Sequence, residues 1–462
     1  MAAMHSPCQR SVIHLALLLL IPIALLLTAC QSSLILQNNL SGHLSPTKQH
    51  VLVTFARSAG DDRLLGGSAR SYHAGQTWLV PLTIRKKITR LEKAYAIEEV
   101  TTWPIETLSV HCAVFAVDQN TDITTILDRL QREPDVVGAQ VLNEFTLMGA
   151  EFGEATAKKQ NDGFTSGYND PDFELQYGDY ANEVRELHKI TRGKSAKVGL
   201  VDTQVDLTHP DLQAQNIVQH LFVDDEAVPA SHGTAMAGII AAAADNHIGL
   251  VGLAPEAKLL VYAACRAAAN NRPQCNSINL IQALEQAIHD DVQVLNLSLA
   301  GPYDPLIAQL LAVAHRRNMI VVAAINRAAP DKSFPASLPT VVGVAELNNN
   351  EKAVVGGGDD FVADWIMRGE KLSTRAGGGY QFFYGSSVAA ASVSSVAALL
   401  QASGADGSLQ ASLEGLIREP CVRSSQHNDN QILRYMQSAN RCGSSAAPMS
   451  LRTASDNSAR TK

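Results

Sequence analysis

From Asp170 onward the chain alternates short apolar strands with long, alanine-rich helices, a pattern that few folds accept. Strands are expected at 198–201, 259–262, 292–297, 320–324 and 340–344. Helices are expected at 233–244, 278–289, 305–316 and 387–401. Such alternation predicts an α/β fold, a mainly parallel sheet with helices on both faces. Open sheets of this kind bind ligands outside the carboxyl ends of their strands.

The first thirty residues have a different character. Arg10 precedes a mostly apolar run from Val12 to Leu27, which closes Leu27-Thr28-Ala29-Cys30. A charged flank, an apolar core and small residues before a cut site read as an export signal. The ending resembles the lipobox of bacterial lipoproteins, which implies cleavage before Cys30 and a lipid on its sulfur. An uncleaved membrane anchor is the alternative, since the run approaches bilayer length. Pro22 and the small residues at its end favour the lipobox. Gln31 is not the acidic residue associated with inner-membrane retention, so analogy favours the outer membrane, facing the periplasm or the exterior.

Export puts the cysteines in an oxidising compartment. Of the seven, Cys8 leaves with the signal and Cys30 would carry lipid. Cys265 and Cys275 lie close in sequence, and Cys421 and Cys442 bracket the last stretch expected to be ordered, so two local disulfides are expected. Zinc is disfavoured, because neither Cys-x-x-Cys nor His-Glu-x-x-His occurs. Cys112 is left over and reads as a buried thiol. A formal net charge of -8 without a basic stripe disfavours nucleic acid as a partner.

The expected order along the chain is a signal over 1–29, a tether over 30–49 and a small α+β unit over 50–148. A linker over 149–170, the main α/β domain over 171–442 and a structureless tail over 443–462 follow. In the small unit, 110–117 reads as a buried strand and Thr121-Asp122 as the cap of a helix. Residues 136–141 read as a returning strand.

Three segments of the main domain carry chemistry. They are Val198-Gly-Leu-Val-Asp202-Thr203, Ser231-His232-Gly233-Thr234 and Gly385-Ser386-Ser387-Val-Ala-Ala390. Asp202 follows a strand, whereas His232 and Ser387 each begin a predicted helix, where unpaired N–H groups favour developing negative charge. A serine hydroxyl is a poor nucleophile until a base takes its proton and a carboxylate fixes that base.

These segments resemble those of the subtilisin-like serine proteases, and the likeness extends beyond the three residues. His209-Pro210-Asp211-Leu212, Asn246-His-Ile-Gly249, Gly252-Leu-Ala-Pro255 and Phe334-Pro-Ala-Ser337 resemble further markers of that family. The resemblance covers about 171–442 and implies an endopeptidase acting on protein or peptide substrates. It implies Ser387 as nucleophile, His232 as base and then acid, Asp202 as orienting carboxylate and Asn326 as oxyanion donor. Ser298, Leu299, Ala300, Gly301 and Ile325 fall where the family binds substrate. The family often binds structural calcium; no loop dense in carboxylates stands out, and no cofactor is required for the chemistry. The unit at 50–148 resembles an inhibitory propeptide, and a permanent accessory domain is the other reading.

Some positions depart from the family pattern. Gln204 stands where glycine is usual, Ser386 replaces threonine, and Ala391-Ser392 replaces Pro-His. Ala300 and Ile325 stand where glycine is common along the primary specificity pocket, so a small apolar side chain is expected before the scissile bond. With a lipid on the prosegment, self-cleavage near 148–170 would free the main domain from the membrane, unless the halves stay associated. Competing readings are a catalytically silent binding lipoprotein and an acyl transferase. An α/β-hydrolase is disfavoured, because Ser387 lacks the Gly-x-Ser-x-Gly elbow.

Overall fold

The computed structural model describes residues 33–36, 44–57, 80–154, 167–223, 230–266, 273–347 and 365–404. Cys8, Cys30, Cys421, Cys442, the signal segment and the 443–462 tail lie outside the described residues.

Strand β1 (Ser33–Leu36) comes first. The N-terminal unit then runs β2 (Gln49–Ala56), α1 (Leu82–Tyr95), β3 (Glu98–Ile105), β4 (Val110–Val117), α2 (Ile123–Gln131) and β5 (Val136–Val141). Its antiparallel sheet has the order β3-β4-β2-β5. Helix α2 starts where the sequence predicts, with the Asp122 carboxylate accepting from Thr124 N–H. Successive strand residues point to opposite faces. One face, including Val53, Phe55, Ala113 and Phe115, packs on Ile84, Ile88, Ile126 and Leu130 of the two helices. The other, including Leu52, Cys112 and Val114, joins a core shared with the main domain. Burial on both faces explains why β4 is apolar almost throughout.

Next come β6 (Glu144–Leu147) and β7 (Ala150–Glu154), then α3 (Phe173–Tyr177) and α4 (Ala181–Ile190). The main domain continues with β8 (Lys197–Thr203), β9 (Ile217–Leu221), α5 (Ser231–Ala241), β10 (Lys258–Arg266), β11 (Gln274–Asn276) and α6 (Ser277–His289). After these come β12 (Val294–Leu297), β13 (Leu299–Ala300), α7 (Pro305–Arg316), β14 (Ile320–Ala324) and β15 (Val342–Leu347). Strands β16 (Trp365–Arg368), β17 (Glu370–Thr374) and β18 (Tyr380–Tyr384) precede the last described helix, α8 (Ser386–Ser403).

Strands β10-β8-β12-β14-β15-β16 pair in parallel. Helices α6 and α7 cover one face through Ile281, Leu284, Leu310 and Leu311. Helices α5 and α8 cover the other through Met236, Ile240, Val393 and Val396. The expected α/β architecture is therefore present. Helix α8 is apolar and long enough to cross a bilayer, yet 83% of it is buried inside the fold, so it is a core helix. The Cys265–Cys275 disulfide joins directly opposed residues of β10 and β11. Cys112 is free and buried, and desolvation pushes its thiol pKa well up.

Three expected boundaries need correction. The tether contains β1, which pairs in parallel with β9. The linker begins with β7, which pairs with β18, and Tyr168 and Asp170 near its end are buried. Strand β6, assigned with the small unit, lies in the main sheet between β11 and β13. Side-chain composition gave no sign of these pairings, because a strand edge recruits backbone N–H and C=O groups from any extended segment.

Candidate active site

Asp202, His232 and Ser387 converge at the carboxyl end of the parallel sheet. Asp202 is the penultimate residue of β8, one position inside the strand rather than after it. Its carboxylate is fully buried and accepts from Thr203 N–H at 2.7 Å. It also faces His232 Nδ1, at 2.8 and 3.0 Å to its two oxygens. The imidazole proton therefore sits on Nδ1, and Nε2 is left as an acceptor. That Nε2 is buried and has no hydrogen-bond partner among the described residues. His232 lies in the first turn of α5, whose Gly233 N–H is held by Thr203 Oγ1 at 2.9 Å.

Ser387 occupies the first turn of α8. Its hydroxyl donates to Ser298 O at 3.0 Å and not to the imidazole. Rotation about χ1 offers a serine three staggered positions, so this contact fixes one rotamer and not the reach of the oxygen. Asn296 Nδ2 steadies Ser298 Oγ at 2.8 Å, and Ser394 Oγ donates back to Asn296 Oδ1. Gly385 bends the chain into the helix at φ 122°, a left-handed region that side chains rarely adopt. A Cβ there would lie 2.5 Å from Met148 O.

Sequence reasoning missed what lies in the cleft, which is a segment of this chain. Thr146 opposes Ala300 and Leu147 opposes Leu299 across the β6–β13 ladder, while Phe145 opposes Cys275 on β11. Met148 N–H donates to Ser298 O, and Met148 O accepts from Ser387 N–H, both at 3.0 Å. A Cβ on Gly149 would lie 2.9 Å from His232 Nε2 and 3.4 Å from Ser387 Cβ, so this peptide rests against both side chains. The chain then continues as β7 along β18, with Ala150 opposite Tyr384. The alternation Phe145-Thr146-Leu147 ahead of Met148-Gly149 marks an extended segment, but nothing local says which edges it joins.

The candidate binding residues fare differently. Ser298, Leu299 and Ala300 take part in the backbone contacts just described. Gly301 sits beneath Phe145, whose ring a Cβ would approach to 2.4 Å. Phe145 is 1% exposed, with Phe334 at 6.2 Å and Tyr303 edge-on to Phe334 at 5.3 Å. Ile325 is buried in the shared core, and its N–H donates to Val344 O. The residue before the peptide facing the triad is Met148, longer than the small apolar side chain expected there. Asn326 Oδ1 accepts from Ala329 N–H at 3.1 Å, which leaves Nδ2 as its donor.

A structural cation was an open expectation. Among the described residues no group of three or more His, Cys, Asp or Glu side chains gathers to hold a metal. The buried carboxylates beside the 245–250 turn are engaged by protein donors. Asp170 accepts from Asp245 and Asn246 N–H. Asp211 accepts from Asn246 Nδ2, Leu250 N–H and the Tyr380 hydroxyl. These carboxylates are satisfied by protein donors and do not fit a cation site.

Comparison with known proteins identifies the family. The model of the subtilase family, peptidase S8, matches residues 193–435. A thermophilic serine proteinase of Bacillus sp. (strain AK1) is 27% identical over 332 residues, covering 70% of this chain and 78% of that protein. Thermitase of Thermoactinomyces vulgaris is 30% identical over 261 residues, covering 53% of this chain and 90% of thermitase. Among solved structures, fervidolysin from Fervidobacterium pennivorans superposes with a TM-score of 0.55 at 18% identity. That match covers 83% of this chain but 59% of fervidolysin, and it speaks to the fold alone. The chain belongs to the subtilase family and is a serine endopeptidase.

Proposed function

We propose that the chain is an exported, self-processing endopeptidase whose first substrate is its own Met148–Gly149 bond. The observation that carries this reading is Met148, with its carbonyl on Ser387 N–H and its own N–H on Ser298 O. In the proposed reaction Ser387 Oγ rotates onto His232 Nε2, gives up its proton there and attacks the Met148 carbonyl carbon. Asp202 holds the charged imidazolium. Ser387 N–H and Asn326 Nδ2 take the oxyanion. The C–N bond then breaks, and the proton on His232 passes to the Gly149 nitrogen. Water, deprotonated by His232, hydrolyses the acyl-enzyme and frees Ser387.

Residues 50–148 are then an inhibitory prosegment that ends in the cleft. The preferred substrate is an extended peptide with an aromatic residue four positions before the bond and leucine two before it. Cys30 carries the lipid of an envelope lipoprotein, in keeping with the signal-like run that ends there.

Intact mass tests the core of this reading on protein lacking residues 1–29. The wild type should yield a new amino terminus at Gly149, and Ser387→Ala should stay whole. A wild type that remains uncut, or one cut identically in Ser387→Ala, sinks the proposal. A fluorophosphonate that labels the wild type but not Ser387→Ala would identify the nucleophile separately.

A further inference from the structure

The N-terminal fragment does more than end in the cleft. It enters its own domain from the main sheet and leaves through it. Before that domain, Ser33–Leu36 pairs in parallel with Val218–Leu221 of β9. After it, β6 lies between β11 and β13. Between the two ends, Leu52, Ile105, Val110 and Val114 share a core with Ile281, Leu284 and Leu310. The Glu285 carboxylate accepts from Thr107 N–H at 3.0 Å across the same boundary. Breaking Met148–Gly149 removes one covalent bond and none of these contacts. Strand β9 pairs with β10 on its other side, so β1 also closes a sheet edge that would otherwise be open.

We infer that β1 is a strap which keeps the cut N-terminal fragment as a resident subunit of the endopeptidase. This rests on the Met148–Gly149 reading. Strand addition of this kind takes its affinity from main-chain hydrogen bonds. A second consequence concerns activity. A fragment held at both ends keeps β6 at high effective concentration over the cleft, so it competes with every substrate after the cut. The strap also places residue 33, three positions after Cys30, against the main sheet, so scission would leave the endopeptidase beside the lipid.

The test uses a strand that has lost a donor to β9. Along one strand edge, alternate residues donate, so Leu34→Pro with Ile35→Pro removes a donor whichever set faces β9. A second variant, Leu34→Gly with Leu36→Gly, weakens the strand without a ring. To separate the strap from self-processing, the chain carries Ser387→Ala and a site for an unrelated sequence-specific protease inserted between Glu154 and Gly167. Cutting there leaves β7 on the fragment in every arm, so its contribution cancels. After cutting, the fragments with the native strap should co-elute on size exclusion, and both variants should dissociate about tenfold faster. Equal rates in all arms, or immediate separation with the native strap, would overturn the inference. With Ser387 intact, the self-cut strap variants should hydrolyse a short peptide several-fold faster than self-cut wild type. A wild type that never cuts itself would instead count against the processing reading, and the engineered cut would still report on the strap.

Discussion

The two arms of the chain beside Met148–Gly149 are held in different ways. Upstream, β6 lies between two strands, and Phe145 and Leu147 are 1% and 3% exposed. Downstream, β7 pairs among the described residues with β18 alone, with a register shift between Gln381 and Phe382. Buried side chains discriminate between substrates through shape and desolvation, whereas a single backbone ladder accepts most sequences. Under the proposed cleavage, selectivity therefore belongs upstream. In the proposed cleavage the downstream arm carries the leaving amine, and its one ladder to β18 holds it in register.

The largest effect concerns the charge that would develop on the Met148 carbonyl oxygen in the proposed cleavage. In the ground state Met148 O takes one donor, Ser387 N–H, while Asn326 Nδ2 makes no hydrogen bond among the described residues. A donor that engages only in the transition state contributes to kcat and not to binding. Asn326→Ala should lower kcat by about 10²–10³, with KM little changed. A rise in KM at constant kcat would show that the amide binds the substrate instead.

The next effect concerns the anchor beyond the downstream arm. The Tyr168 hydroxyl donates to His188 Nδ1 at 2.6 Å, because His188 Nε2–H is given to Leu253 O at 2.8 Å. Burial lowers the His188 pKa from 6.5 to about 4. Between those values the unfolded chain binds a proton that the folded one refuses, so stability falls as pH drops through that window. The contribution is complete above pH 6.5 and amounts to about 3 kcal/mol lost by pH 4. Urea midpoints measured from pH 7 to 4 should converge toward those of His188→Gln. Parallel profiles would remove His188 as the acid-sensitive group.

An upstream change sharpens the comparison at one pocket. Gly301→Val should fill the space beneath the Phe145 ring and lower kcat/KM for peptides with phenylalanine at that position by about 10–200-fold. Peptides with alanine there should be spared. An equal loss for both would mean that the substitution disturbs the cleft and not the pocket.

What could be read in advance divides along the same line. Helix α7 was legible to the residue, because Asp304 caps it and Pro305 fits its first turn. Strand β14 was legible because a short apolar run follows a helix end. The order of Asp202, His232 and Ser387 pointed to one site, and the structure brings Asp202 to His232 and both His232 and Ser387 to Gly149. The β6 and β7 segments were not legible as occupants of the cleft. Their role depends on edges offered by β11, β13 and β18, more than a hundred residues away, and backbone pairing leaves little mark on composition. Asp211 and Tyr380 were likewise opaque, since nothing local pairs a carboxylate with a hydroxyl 169 positions later.

The smallest effect is the sharpest test of the asymmetry. Proline in a peptide at the counterpart of Ala150 or of Glu151 removes, at one of the two, a donor to β18. A single ladder bond at a half-open edge is worth about 1 kcal/mol, so kcat/KM should fall about fivefold at that position and hardly at its neighbour. Proline at the counterpart of Leu147 removes the donor that reaches Pro273 O at 3.2 Å, again one bond. There, however, the ring must also fit into a strand enclosed on both sides, where proline is not tolerated. The upstream substitution should therefore cost more than the downstream one for the same number of hydrogen bonds. Equal losses would mean that both arms are bound as open edges, and that the second ladder upstream adds nothing to recognition.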